Sequence, residues 1–210
     1  MSLEWDLTKK WLRDRQRDPY HRQAKEAGYR SRAIYKLFQI SKKFRLIQNG
    51  DVVVDLGAYP GGWMQGARTL VGEQGFVLGI DRKPIDPLPA TNVKTFIGDI
   101  TQLTGSEIRR HLPRLADIVL SDLAPNISGI WEVDHARQID LARTALILAR
   151  ALLKRNGKFV VKAFQGDLFQ SFLDEVRAWF QSVRVFRTAA TRKRSAEVFI
   201  VALRFKPQGN

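Results

Sequence analysis

Residues 51–63 read Asp-Val-Val-Val-Asp-Leu-Gly-Ala-Tyr-Pro-Gly-Gly-Trp, and the order of those residues decides the fold class. Three consecutive valines before a carboxylate predict a buried strand ending at Asp55. Gly57, Pro60, Gly61 and Gly62 then predict a tight, exposed turn, and the stretch from Trp63 to Val71 predicts a helix. Strand, glycine turn, helix is how an open parallel sheet offers backbone N–H groups to a ligand at its carboxyl edge. The Gly-x-Gly-x-x-Gly spacing of a dinucleotide site is absent, which disfavours an NAD-dependent enzyme. No Gly-Lys-Ser/Thr follows either, so a P-loop is excluded. A nucleoside-type ligand without phosphates suits the turn better than a phosphate cradle.

Outward from this turn, strands and helices alternate. Phe76–Asp81, Val93–Ile97, Ala116–Ser121, Lys158–Ala163, Val183–Arg187 and Glu197–Leu203 read as strands. A long helix is expected from about Asp134 to Leu153, stopped by Asn156-Gly157, and another over Leu168–Phe180. Such alternation predicts a doubly wound α/β sheet. No internal repeat or low-complexity linker divides the chain. One domain over residues 51–210 is expected, with residues 1–50 as a basic N-terminal extension of it.

At 210 residues the chain can bury a sizeable core. Its net charge of +14 favours a polyanionic partner, RNA or other nucleic acid before an anionic membrane surface. The first fifty residues carry 13 Lys/Arg against 5 Asp/Glu, interleaved with Trp5, Trp11, Tyr20, Tyr29, Tyr35, Phe38 and Phe44. Arginines there would contact RNA phosphates, while the aromatics are expected to pack inward. Ala33, Ile34, Leu37, Phe38 and Ile40 recur at helical spacing, giving an amphipathic helix over Arg32–Lys42 with Lys36 near its middle. Cysteine is absent and the three histidines are scattered, so no metal site is expected. No apolar run approaches the ~20 residues of a membrane span, and the N-terminus lacks a signal-peptide pattern. A cytoplasmic protein, monomeric by default, is the expectation.

The first four strands each end beside an acid: Asp55, Asp81, Asp99 and Asp122. One such acid is commonly a helix cap. Four in succession beside a glycine turn point to a ligand. A carboxylate just past the second strand can accept both hydroxyls of a ribose, which fits Asp81. Asp99 could accept from an exocyclic amine, and the acidic edge suits a cationic ligand such as a sulfonium. Lys162 lies in Phe159-Val160-Val161-Lys162-Ala163-Phe164, apolar on both sides. Lysine is seldom buried without a partner, and burial disfavours an ammonium, which makes such a lysine a usable base. Glu197 opens an otherwise apolar strand and invites a cation, unless it faces solvent on an edge strand. Lys36, judged alone, reads as a surface lysine.

With those residues assembled, the chain resembles the FtsJ/RrmJ family of S-adenosylmethionine-dependent ribose 2′-O-methyltransferases. The resemblance rests on Ser-Arg-Ala-Ile-Tyr-Lys-Leu (31–37), Asp-Leu-Gly-Ala-Tyr-Pro-Gly-Gly-Trp (55–63), Ser-Asp-Leu-Ala-Pro-Asn-Ile-Ser-Gly (121–129), Val-Val-Lys-Ala-Phe-Gln-Gly (160–166) and Arg-Ser-Ala-Glu-Val-Phe-Ile-Val-Ala (194–202). It implies a seven-stranded, mostly parallel, Rossmann-like sheet whose last strand is antiparallel. It also implies a catalytic set at Lys36, Asp122, Lys162 and Glu197, with Lys162 as the base. Cofactor contacts would fall on Asp55, Gly57, Pro60, Gly61, Gly62, Trp63, Asp81, Asp99 and Asp122. Tyr59 stands where the family usually has a small residue, and its ring is expected to point outward or to line the methionine end. The implied substrate is a uridine in the A-loop of large-subunit ribosomal RNA. The alternatives are a tRNA ribose methyltransferase and a non-catalytic RNA-binding factor of the same fold.

Overall fold

A computed structural model describes residues 18–192 and 194–207; Trp5 and Trp11 lie outside the described residues. The strands are β1 (Val52–Leu56), β2 (Phe76–Asp81), β3 (Val93–Ile97), β4 (Ala116–Ser121), β5 (Leu153–Phe164), β6 (Phe180–Phe186) and β7 (Glu197–Phe205). They form one seven-stranded sheet in the order β3-β2-β1-β4-β5-β7-β6. The pairs from β3 through β5 are parallel, while β7 runs antiparallel to both β5 and β6. The helices are α1 (Pro19–Glu26), α2 (Ile34–Phe44), α3 (Gly62–Val71), α4 (Gly105–Arg109), α5 (Trp131–Leu152) and α6 (Phe169–Trp179).

The doubly wound reading holds, and its physical basis is the burial of both sheet faces. Every residue of β1 is buried, which is what a strand covered on both sides requires. Val52, Val54 and Leu56 face Ile139, Leu146 and Leu152 of α5 and Phe172 and Val176 of α6. Val53, Ile118 and Val160 face Leu37 and Ile40 of α2 and Trp63, Met64 and Ala67 of α3. Residues 34–47 thus contribute to the core. At the edge opposite the carboxyl ends, the buried Asp117 carboxylate accepts from Val52 N–H at 2.7 Å and ion-pairs with Arg114 at 2.6 Å. That contact pins β1 to β4.

Several expected features differ in the structure. Helix α5 begins at Trp131 rather than Asp134, because the Asp134 carboxylate folds back onto Ser128 and Gly129 and secures an earlier first turn. Asn156-Gly157 does not divide helix from strand, since β5 already starts at Leu153. The register jumps from Ala116↔Leu153 to Ile118↔Lys158, so the extra residues bulge out, with Asn156 at φ 63°. Finally, Tyr20, Tyr29, Tyr35 and Phe38 are half-buried and pack on one another in tilted and edge-to-face pairs instead of entering the core. No described helix is long and apolar enough to cross a membrane.

Candidate active site

The carboxyl ends of β1, β2 and β4 converge on a cavity of about 710 Å³, a size suited to a nucleoside-class ligand. Gly57, Asp81, Asp99 and Asp122 line it, with Tyr59, Lys83, Leu123, Asn126 and Arg137. Gly57 holds φ 80°, and a Cβ there would collide with the Leu123 side chain, so the close crossing of the β1 and β4 loops requires glycine. Asp81 accepts from Tyr59 N–H at 3.0 Å and Lys83 N–H at 2.9 Å. Asp99 accepts from Thr101 N–H at 2.9 Å and its hydroxyl at 2.7 Å. Those Thr101 bonds, backbone first, hold the Asp99 carboxyl below the usual range against a small desolvation cost. Both acids therefore cap their own turns and still present oxygens to the cavity. The Tyr59 ring borders the cavity while staying 50% exposed, with the Lys83 ammonium 5.0 Å from its centroid.

The other glycine-turn residues sit behind the cavity. Gly61, at φ 104°, caps α3 against Arg30, whose guanidinium donates to the Asp86 carbonyl at 2.6 Å. Gly62 lies against Ser31 of the approach to α2, where a Cβ would come within 2.8 Å of Ser31 Cβ. Pro60 accepts from Arg30 through its carbonyl at 3.4 Å. Trp63 is buried, donates to the Ala33 carbonyl at 2.7 Å and packs on Phe199 at 5.7 Å between centroids. Asp55 lies beneath the cavity, fully buried, with neither carboxylate oxygen hydrogen-bonded among the described residues. Burial first, then the nearby Asp122 and Asp81 charges, pushes its pKa well above the usual value.

Beside the cavity, four charged side chains from four elements meet. Lys162 on β5 is buried, and its ammonium lies 3.0 Å from Asp122 Oδ1 and 2.9 Å from the Asp122 carbonyl. Lys36 on α2 contacts both Glu197 oxygens, at 2.7 and 2.9 Å. Glu197 also accepts from Thr191 at 3.1 Å, and Thr191 in turn meets Thr188 at 2.9 Å. The expected alternatives for Lys36 and Glu197 fail for one reason: β7 is inserted between β5 and β6, so Glu197 is an interior residue with Lys36 over it. Phe199 sits opposite Lys162 in the β5–β7 register, and its ring lies 5.6 Å below the Lys36 ammonium. Desolvation opposes the Asp122 carboxylate, yet the Lys162 and Lys36 charges hold its pKa below the usual value. The four groups thus form two ion pairs within one electrostatic neighbourhood.

Sequence reasoning missed several residues here. Arg137 lines the cavity, and Thr188 and Thr191 orient Glu197, but their spacing carries no distinctive pattern. Asn126, also in the lining, lies in the 121–129 stretch that carries the resemblance, which implies no role for it. Arg32 bonds Asp18, which caps α1, and the Ala190 carbonyl, joining the N-terminal segment to the loop that carries Thr191.

Residues 29–205 match the model of the FtsJ-like methyltransferase family. Among curated proteins, the chain is 52% identical over 187 residues to the ribosomal RNA large subunit methyltransferase E of Methanothrix thermoacetophila, covering 89% of this chain and 72% of that one. It is 47% identical over 195 residues to the enzyme of that name from Methanococcus vannielii, covering 92% and 75% respectively. A crystal structure named for a ribosomal RNA methyltransferase of Plasmodium falciparum superposes with a TM-score of 0.75 at 26% identity, over 86% of this chain and all of that one. A match across nearly the whole sheet, at these identities, has one meaning: the chain belongs to the FtsJ-like methyltransferase family.

Proposed function

We propose that this chain transfers a methyl group from S-adenosylmethionine to a ribose 2′-hydroxyl of large-subunit ribosomal RNA, the A-loop uridine being the leading candidate. The observation that carries the reading is the buried Lys162, held on Asp122 at the rim of the cavity. The residues present fit the cofactor. Asp81 and Asp99 keep free lone pairs toward a nucleoside-sized hollow, and the acidic rim suits a sulfonium. When bound, S-adenosylmethionine supplies an activated methyl. The chain's own task is to deprotonate a poor nucleophile and hold it in line.

In this reading Lys162 accepts the 2′-proton at Nζ. Asp122, held ionised, fixes the lysine through its carboxylate and its carbonyl and then stabilises the ammonium that forms. Lys36, clamped by Glu197, sets a second positive charge beside the Lys162–Asp122 pair. The basic N-terminal segment, residues 1–50, would face the RNA, and Arg30, Arg32 and Arg192 border a smaller hollow of about 260 Å³ on that side. A substrate in ribosomal RNA is also the reading that the two curated relatives' names favour over tRNA.

The test is Lys162→Ala, followed by methyl transfer into deproteinised large-subunit RNA, into ribosomal subunits and into tRNA. Turnover should fall by ~10²–10⁴-fold, the usual share of a general base, while calorimetric affinity for the cofactor stays within a few-fold. Wild-type-like single-turnover rates in that variant would remove the base from Lys162, and labelling of tRNA alone would move the substrate.

A further inference from the structure

Trp131, the first residue of α5, leaves its indole 44% exposed while most large rings among the described residues are packed away. The indole is nevertheless held flat. It lies nearly parallel to His135, with centroids 5.5 Å apart and planes 13° apart. It is also nearly parallel to Phe164, at 6.1 Å and 20°. His135 is buried and fixed: its Nε2 accepts from Leu168 N–H at 3.1 Å, and its ring rests on Gly166, where a Cβ would come within 2.8 Å. The turn in front is fixed as well. The Asp134 carboxylate accepts from Ser128 N–H at 2.7 Å, the Ser128 hydroxyl at 2.8 Å and Gly129 N–H at 3.1 Å.

The position matters more than the exposure. Phe164 ends β5 two residues beyond Lys162 and pairs in register with Glu197. The loop from Asp122 to Trp131 leaves β4 directly from the other half of the Lys162 pair. The indole therefore belongs to the rim of the four-residue cluster, on loops that follow adjacent strands. A rigid, flat, half-exposed ring is what an unstacked base packs on, at little entropy cost. In the methyltransferase reading the RNA that reaches Lys162 passes this rim, and a chain of net charge +14 suits such a polyanion.

We propose that Trp131, backed by His135 and Phe164, is a stacking platform for an unpaired base of the RNA next to the nucleotide whose ribose faces Lys162. This deepens the methyltransferase reading and rests on it. Trp131 is a positioning residue; it touches no reacting atom.

The test compares wild type, Trp131→Ala and Trp131→Phe on assembled subunits, on deproteinised large-subunit RNA and on a short RNA carrying the unmodified target nucleotide, with either neighbour replaced by an abasic unit. Trp131→Ala should raise the RNA KM on the order of 10- to 100-fold, the range of one lost base stack, with kcat changed much less. Trp131→Phe should recover most of that loss. The abasic neighbour should weaken wild type but not weaken Trp131→Ala further, and cofactor affinity and melting temperature should stay as in wild type. An unchanged RNA KM in Trp131→Ala, with wild type active, overturns the platform alone. A defect seen only on assembled subunits would assign the indole to a ribosomal protein and overturn it too. Wild type that methylates no RNA would sink the platform together with the reaction.

Discussion

Asp55 and Asp122 stand close enough to sense each other, yet their environments drive them in opposite directions. Asp55 has no hydrogen-bond partner among the described residues, and burial, with Asp122 and Asp81 nearby, raises its pKa well above the usual value. A group raised in the fold stabilises fully below its unfolded pKa of about 4, and that contribution is lost as pH rises through the folded value. Asp122 is held below the usual value despite its burial, by Lys162 and Lys36, so its contribution is present at neutral pH and lost in acid. Asp55→Asn, nearly isosteric and uncharged, should therefore gain on wild type as pH is raised from about 4, and be the more stable protein at pH 8. Urea midpoints measured at several pH values check this. Curves that stay parallel from pH 4 to 8 would show that the fold does not raise the Asp55 pKa.

At the scale of elements, the chemistry depends on how α2 is held against the β1 turn. Trp63 is the peg: it is buried at the start of α3 and its indole N–H donates to the Ala33 carbonyl, one residue before α2 carries Lys36 toward Glu197. Trp63→Phe keeps most of the packing but removes one of the donors to a carbonyl that still accepts from Lys36 N–H, at a cost of about 0.5–1.5 kcal/mol. Its urea midpoint should drop at unchanged m-value, and turnover should drop more than cofactor affinity, because Lys36 shifts while Asp81 and Asp99 do not. Elements of this local kind were legible in the sequence. The valine run, glycine turn and helix announce themselves through neighbours in the chain, and β2, β3 and β4 fall where their patterns end. Helix α1 was missed because it buries only Ala24, although Asp18 and Pro19 mark its start. Helix α4 was missed at five residues, although Thr104 and Glu107 form a capping box. Glu197 resisted for a different reason. Whether a strand lies at an edge or inside a sheet is a fact about strand order, and no periodicity within residues 197–205 encodes it.

For the molecule as a whole, two opposite charge patterns coexist. The surface carries a net +14, whereas the cavity is rimmed by Asp81, Asp99 and Asp122. Contacts to RNA phosphates release counterions, so log affinity should fall with log salt by roughly 0.7–0.9 per phosphate neutralised. Cofactor affinity, set by short-range contacts in a partly enclosed site, should respond far less. Titrating both ligands between 50 and 200 mM salt separates the two; equal slopes would mean that RNA is not held by the basic surface. The composition announced the polyanion but not its position, because charge sums carry no geometry.

The insertion of β7 between β5 and β6 also sets an order of events during synthesis. Lys36, Asp122 and Lys162 all leave the ribosome before Glu197, and until β7 wedges in, its two flanking strands have no partner for the edges it will occupy. A nascent chain emerged only through Phe186 would hold the nucleoside hollow and the lysine pair without the acid that clamps one of them. In the proposed mechanism the four-residue set is thus completed by β7, in the same step that fills the gap between β5 and β6.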